Sequence, residues 1–238
     1  VLYRDTDAWY HMRLADFIFV NFPQYLKFDQ LALYPNGFTI GYKPLLAFLI
    51  VVISKITGID YELVGAFLPP IIGSLTVIPV YFLGKALFGK GVGLLGSLLF
   101  VLLPGEFLHR SLLGYPAHHF LEVFFSILTI LFLVLFDKSG KFRWAALAGI
   151  PLGLYLMNWF GAYLLVAVIM VWVVIKFGYL VYAKKGTDKL LLGVLVVLGI
   201  STIMSFTFLD SFTKVAMLLS VVLVGVIFGL TKCPKWAV

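Results

Sequence analysis

The chain has few charged residues and almost no cysteine. Of its 238 residues, 12% are Asp, Glu, Lys or Arg, while 62% are hydrophobic. One cysteine, Cys233, excludes both an internal disulfide and a metal site built from cysteines. The sequence also has no Gly-rich phosphate loop, no Gly-x-Ser-x-Gly and no Cys-x-x-Cys motif. The enzyme classes that those motifs mark are therefore not indicated.

Long apolar runs are what the chain does have. Its mean hydropathy is +1.07, and several runs approach the roughly 20 residues that a membrane helix needs. We therefore predict an all-α polytopic membrane protein with about seven transmembrane helices. The predicted spans are 61–84, 91–108, 119–136, 144–158, 161–181, 190–206 and 215–230.

One apolar run and three prolines modify this layout. The run from Pro44 to Thr57 would reach only about 21 Å as a helix, against a hydrocarbon core of about 30 Å. We expect it to lie in the membrane interface. Pro69, Pro70 and Pro79 are expected to bend the first span, because proline removes a helical hydrogen bond.

The basic residues predict the orientation of the spans. The formal charge is +7, but the lysines concentrate in short loops, as in cytoplasmic loops of membrane proteins, so we do not expect nucleic-acid binding. Alternate loops at 85–90, 137–143, 182–189 and 231–235 hold ten Lys and Arg residues, whereas the others hold Arg110 and Lys214. This parity predicts that the chain start and the loop containing His118 share the outer face.

Two polar clusters are candidates for a site at that face. Asp5 and Asp7 either begin a solvated helix, with Asp7 as its cap, or supply oxygen ligands for Mg²⁺ or Mn²⁺. His118 and His119 either cap a helix or provide one metal ligand, because adjacent helical residues do not face the same way. Arg110 is either an interfacial anchor or a bidentate phosphate contact.

The order of the motifs resembles a known family. The segment Asp5–Arg13 (DTDAWYHMR) is similar to the first outer-loop motif of the catalytic subunit of oligosaccharyltransferase. The similarity continues through Tyr34–Gly37 (YPNG), Gly73–Val80 (GSLTVIPV) and Arg110–His119 (RSLLGYPAHH). The last of these looks most like the archaeal form, in which Asp-His-His follows a glycine and an aromatic residue.

The resemblance implies a GT-C type glycosyltransferase of N-linked glycosylation. Such an enzyme moves an oligosaccharide from a polyprenyl or dolichyl phosphate or pyrophosphate in the membrane to Asn of an Asn-x-Ser/Thr sequon in an acceptor polypeptide. By position, Asp7 matches a catalytic metal ligand and His119 a second metal ligand, for Mn²⁺ or Mg²⁺. Arg110 matches the arginine near the carrier phosphate. Asp5, His118 and Arg13 match motif positions that support the site.

The implied organisation has two parts. Residues 1–60 would form the first outer loop with interfacial helices, and residues 61–238 a transmembrane bundle with the second motif loop at 109–119. We expect the chain to be a fragment that lacks a preceding membrane helix and a later soluble domain. The site would face outward from a cell membrane.

One departure from the family affects the metal site. Ala117 stands where the family has Asp, and an alanine cannot bind a metal. The enzyme is weakened or divergent, or the change was introduced, or another group such as Glu122 compensates. Ala117 also favours one alternative, a GT-C transferase that uses a polyprenyl-phosphate sugar without a metal. The other alternative is a transporter or flippase of lipid-linked substrates.

Overall fold

The computed structural model describes residues 3–231, and this part of the chain is almost entirely helical. Two short antiparallel strands, β1 and β2, pair Phe28 with Thr39 and Asp29 with Phe38. The elements are α1 (Thr6–Asn21), β1 (Phe28–Asp29), β2 (Phe38–Thr39), α2 (Leu45–Thr57), α3 (Tyr61–Leu75), α4 (Val77–Phe88), α5 (Lys90–Leu102), α6 (Glu106–His109), α7 (His119–Ser139), α8 (Phe142–Asn158), α9 (Tyr163–Tyr182), α10 (Asp188–Ser205) and α11 (Ser211–Thr231).

Each of the seven predicted spans contains helix. Within residues 3–231, five helical stretches are long and apolar enough to cross a membrane by length and composition. They are 61–88, 119–139, 160–182, 188–208 and 211–231. Helices α5 and α8, with 13 and 17 residues, are shorter. The run predicted to be interfacial forms α2, also of 13 residues.

The first predicted span is divided into α3 and α4 at Thr76, between its prolines. Pro69 and Pro70 lie inside α3, and Pro79 is the third residue of α4, where a missing N–H leaves no helical hydrogen bond unmade. The break falls at Thr76, whose hydroxyl donates back to the carbonyl of Ile72 over 2.7 Å. This back-bonding is known to bend helices.

Small residues let α8 pack closely against α10 in the centre of the bundle. A methyl group built on Gly149 would lie 2.8 Å from Cβ of Ile200, and one on Gly153 would lie 3.2 Å from Cβ of Met204. Such close approach is typical of membrane helices, which associate through van der Waals contact. Helix α7 covers the other side of α8. The core is continuous with residues of α1 and α2.

The loops predicted to share a membrane face do lie together. At one end of the bundle, the ammonium group of Lys138 donates to the carbonyl of Ala86, and the Lys189 side chain lies beside Gly140. The predicted outer segments meet at the opposite end, around the cavity described below. Two residues of the basic count fall outside the described residues: Lys232 and Lys235.

Candidate functional site

The two polar segments predicted to share a face are in direct contact. The Arg4 amide donates to the carbonyl of Gly114 over 3.0 Å. The hydroxyl of Tyr115 donates to Asp5 Oδ2 over 2.6 Å, and this hydrogen bond lowers the pKa of the Asp5 carboxyl. The start of α1 and the loop before α7 are therefore joined by hydrogen bonds.

Asp5, rather than Asp7, caps α1. The Asp5 carboxylate accepts from the Thr6 amide over 2.7 Å, so the predicted capping role of Asp7 is wrong. Asp7 lies in the first turn, where a carboxylate is favoured by the positive end of the helix dipole. Its Oδ1 accepts a hydrogen bond of 2.7 Å from the hydroxyl of Tyr42. The position of the Asp7 side chain is thereby fixed at the cavity wall.

A pair of buried imidazoles joins the two segments in the core. His11 Nε2 and His118 Nδ1 are 3.2 Å apart, and His11 has no exposed surface. Burial is the main cause that lowers the pKa of each histidine to about 3. Both rings are therefore neutral at neutral pH, and one must donate to the other. The Asn158 amide fixes the backbone here by donating to the His118 carbonyl over 2.9 Å.

Both adjacent histidines reach one carboxylate. His118 Nε2 lies 3.1 Å and His119 Nδ1 lies 3.4 Å from Oε1 of Glu122. The prediction that only one of the two rings can face a metal is therefore wrong. His118 is the N-cap residue of α7, so Glu122 follows one helical turn later. These three residues form a group that could hold a metal ion.

Arg110 lies beside this group. Its Nε donates to Glu106 Oε2 over 2.6 Å, and its Nη1 contacts His119 Nε2. Glu106 is 79% exposed, so this ion pair leaves the guanidinium close to solvent. Arg110 also lines the cavity with Asp7 and His119. A cation is thus held against His119 and lines the same cavity as Asp7.

Arg13 occupies a different place from the other predicted residues. Its guanidinium donates twice to Asp29, over 2.8 and 2.9 Å, and the hydrogen bonds from Arg13 are the main cause that lowers the pKa of the Asp29 carboxyl. The pair ties β1 to α1. Arg13 does not line the cavity, so it positions the outer loop rather than the site itself.

The site opens into a cavity of about 830 Å³. The walls include Lys43, whose ammonium donates to Phe208 O over 2.9 Å and to Asp210 Oδ2 over 3.1 Å. This ion pair connects the segment before α2 with the segment before α11. Sequence reasoning did not identify Tyr42, Lys43 or Asp210. The position of Asp210, an acidic residue between two spans, is the signal that was available.

The donor set suits a divalent metal in part. Ala117 is completely buried and contributes only a methyl group, so the family's aspartate has no equivalent at its own position. By contrast, Glu122 Oε1 is buried without a hydrogen-bond partner among residues 3–231. Buried carboxylate oxygens are rarely left in this state, and an absent cation is one explanation.

The chain is similar to known proteins in sequence and in fold. The family model described as oligosaccharyl transferase STT3, N-terminal, matches residues 2–233. Dolichyl-phosphooligosaccharide-protein glycotransferase 3 of Archaeoglobus fulgidus is 27% identical over 219 residues, covering 85% of this chain and 25% of the relative. Dolichyl-monophosphooligosaccharide--protein glycotransferase AglB of Haloferax volcanii is 32% identical over 203 residues, covering 74% and 19%. The chain thus spans a quarter or less of these relatives.

Solved structures share the fold. The apo oligosaccharyltransferase of Archaeoglobus fulgidus superposes with a TM-score of 0.87 at 25% identity, covering 97% of this chain and 30% of that one. The same figures apply to AglB of Archaeoglobus fulgidus in complex with an inhibitory peptide and a dolichol-phosphate. An Archaeoglobus fulgidus complex with Zn and sulfate has a TM-score of 0.86 at 25% identity, covering 95% and 31%.

Proposed function

The chain belongs to the oligosaccharyl transferase STT3 family, and from this premise we propose that the whole protein transfers an oligosaccharide from a dolichyl or other polyprenyl carrier to Asn of Asn-x-Ser/Thr sequons. The observation that carries the proposal is the convergence of Asp7, Arg110 and His119 on one cavity. The relatives' names and the peptide and dolichol-phosphate in the solved complex support both substrates.

The acceptor amide explains the need for Asp7. An amide nitrogen is a poor nucleophile, because its lone pair is delocalised into the carbonyl. The Asp7 carboxylate accepts a hydrogen bond from the acceptor N–H, which favours a twisted amide with an exposed lone pair. Tyr42 holds this carboxylate through its 2.7 Å hydrogen bond. A carboxylate fixed in advance loses little entropy when the acceptor binds.

Arg110 lines the part of the cavity proposed to bind the carrier phosphate of the glycan donor. A guanidinium binds phosphate oxygens through two parallel hydrogen bonds, which suits the carrier phosphate. Arg110 is partly exposed and its present partner Glu106 is an exposed carboxylate, so exchange of Glu106 for a phosphate costs little.

A divalent metal is proposed between these two ends, with Asp7 and His119 as ligands. A bound Mn²⁺ or Mg²⁺ supplies Lewis-acid stabilisation of the negative charge on the leaving phosphate. Imidazole nitrogen beside carboxylate oxygen favours Mn²⁺ within this pair, because Mg²⁺ prefers oxygen ligands and water. The alternative of a metal-free transferase rests on Ala117 alone, and the nearby His118, His119 and Glu122 group weakens it.

Replacement of Asp7 tests the proposal. In the full-length protein we expect Asp7→Ala to abolish glycan transfer to a sequon peptide, with the peptide detected by mass spectrometry. Asp16→Ala is the matched control, because Asp16 lies on the same helix and accepts from Tyr61 as Asp7 does from Tyr42. Asp16 does not line the cavity. Transfer that survives in Asp7→Ala would refute the assigned role.

The chain is a multi-pass membrane protein, and we propose that the cavity faces outward from the cell membrane. Exposed single-cysteine probes can establish this in a background without Cys233. Leu113→Cys and Tyr34→Cys, at 50% and 81% exposure, should react with an impermeant maleimide added outside intact cells. Tyr182→Cys, at 88% exposure, should be protected until the cells are opened. The reverse pattern would contradict the orientation.

A further inference from the structure

Ala117 leaves the proposed metal site one carboxylate short. Its methyl group is completely buried, and its backbone N–H donates to the carbonyl of Tyr115 over 2.7 Å. The Ala117 side chain offers no ligand atom. The need for a replacement carboxylate rests on the proposed function.

Glu122 has the geometry of a ligand. Its Oε1 lies 3.1 Å from Nε2 of His118 and 3.4 Å from Nδ1 of His119. For ligands about 2.1 Å from a metal, neighbouring ligand atoms are separated by about 3.0 Å in an octahedron and about 3.4 Å in a tetrahedron. Both distances to Glu122 fall in this range, and the ligand atoms of His118, His119 and Glu122 all lie within 4.8 Å of one another.

The Glu122 oxygen also lacks another partner. It is buried and, within residues 3–231, accepts no hydrogen bond. A buried carboxylate oxygen without a donor costs several kcal/mol in general. A cation shared with the two imidazoles removes that cost.

Surrounding groups direct the ring nitrogens towards Glu122. His118 Nδ1 is held by His11 Nε2 at 3.2 Å, which leaves His118 Nε2 pointing to the carboxylate. Metal-binding histidines normally have their second nitrogen fixed in this way. Arg110 contacts His119 Nε2, so Nδ1 is the nitrogen on the carboxylate side. When a metal binds Nδ1 of His119, Nε2 of that ring carries the proton. Because Arg110 can only donate hydrogen bonds, its contact with Nε2 must then break.

We propose that Glu122 supplies the metal-binding carboxylate that residue 117 lacks, together with His118 and His119. Asp7, which lines the same cavity as His118 and His119, contributes a second carboxylate. The chain thus keeps a metal-dependent reaction despite the alanine.

Mn²⁺ titration of the full-length protein in detergent tests this without an activity assay. Free Mn²⁺ is measured by electron paramagnetic resonance after EDTA treatment and dialysis. We expect Glu122→Gln to raise the Kd at least about tenfold, since even indirect partners of metal sites have effects of that size. Glu62→Gln, an exposed glutamate at the start of α3, is the matched control and should bind like the wild type. In the double variant Ala117→Asp/Glu122→Gln, the family's carboxylate should restore binding.

The outcomes separate this inference from the proposed function. Wild-type affinity in Glu122→Gln, with binding lost in Asp7→Ala, would overturn the role of Glu122 and leave the proposed function standing. Absence of Mn²⁺ binding by the wild type, with metal-independent transfer, would overturn the role of Glu122 and the proposed metal site, while glycan transfer to the sequon peptide would still support the proposed function. If Glu122→Gln aggregates on size-exclusion chromatography, Glu122→Asp decides: its carboxylate is one methylene shorter, so unchanged Mn²⁺ affinity would also overturn the proposal.

Discussion

Tyr42→Phe separates the orientation of Asp7 from the packing around it. The substitution removes one hydroxyl, and the hydrogen bond of 2.7 Å to Asp7 Oδ1 disappears with it. The ring contacts remain, because phenylalanine keeps the ring that lies 5.0 Å from His11 and 6.3 Å from His118 between centroids. Any effect on metal binding therefore reports the hydrogen bond.

The expected magnitude follows from the kind of bond lost. A hydrogen bond to a charged group contributes about 1.5–3 kcal/mol, and each 1.4 kcal/mol is about a factor of ten in an equilibrium constant. Tyr42 is half-buried, so solvent replaces part of the interaction and the lower end applies. We expect Mn²⁺ affinity and glycan transfer each to fall about tenfold in Tyr42→Phe.

Tyr115→Phe is the control for this experiment. It removes an equivalent hydroxyl from the other carboxylate of the pair, because Tyr115 donates to Asp5 over 2.6 Å. Asp5 is the helix cap and is not proposed as a metal ligand, so Mn²⁺ affinity should not change. Equal losses in the two variants, or none in Tyr42→Phe, would refute the reasoning that Tyr42 acts through Asp7.

Two further predictions concern the scaffold. Gly193→Ala should lower the melting temperature by several degrees, because the new methyl would lie 1.9 Å from the buried ring of Phe136 and overpacking costs about 1–3 kcal/mol. Gly199→Ala is the control and should leave the melting temperature unchanged, because its methyl would meet nothing within 4 Å. Equal melting temperatures of the two variants in a thermal-shift assay would contradict the packing. Arg13→Ala should destabilise the fold by about 1–2 kcal/mol, discounted because Arg13 is 43% exposed while Asp29 is 3% exposed. Because Arg13 depresses the pKa of the Asp29 carboxyl, the ion pair stabilises the fold above the unfolded pKa of Asp29, about 4, and this stabilisation is lost as the pH falls below that value. An Arg13→Ala variant as acid-sensitive as the wild type would contradict this.

Sequence patterns predicted where the apolar helices lie and which loops share an end of the bundle, because both depend on local composition. Apolar runs of membrane length gave the helices, and the basic loops gave the alternation that brings Asp7 and His118 to one end. The break at Thr76 was missed because proline is the stronger local signal, whereas a threonine hydroxyl that bonds its own helix is not visible in a hydropathy pattern.

Sequence analysis predicted those candidate site residues that lie in local motifs, and it missed those that are defined by long-range contacts. Asp7, Arg110 and His119 lie in recognisable motifs and do meet at the cavity. Tyr42 and Lys43 contact residues 35 and 167 positions away, and no periodicity reports such pairs. His118 and His119 were expected to cap a helix or to supply one metal ligand between them, but they lie on either side of the helix start, where both rings can turn towards Glu122.

An anomalous difference map from crystals of the full-length protein with Mn²⁺ tests the central claim most directly. The account predicts one strong peak in the cavity, about 2.0–2.3 Å from ligand atoms of Asp7 and His119, with Glu122 and His118 as further ligands. A Mn²⁺ peak that does not touch Asp7 and His119, in crystals active for glycan transfer, would contradict it.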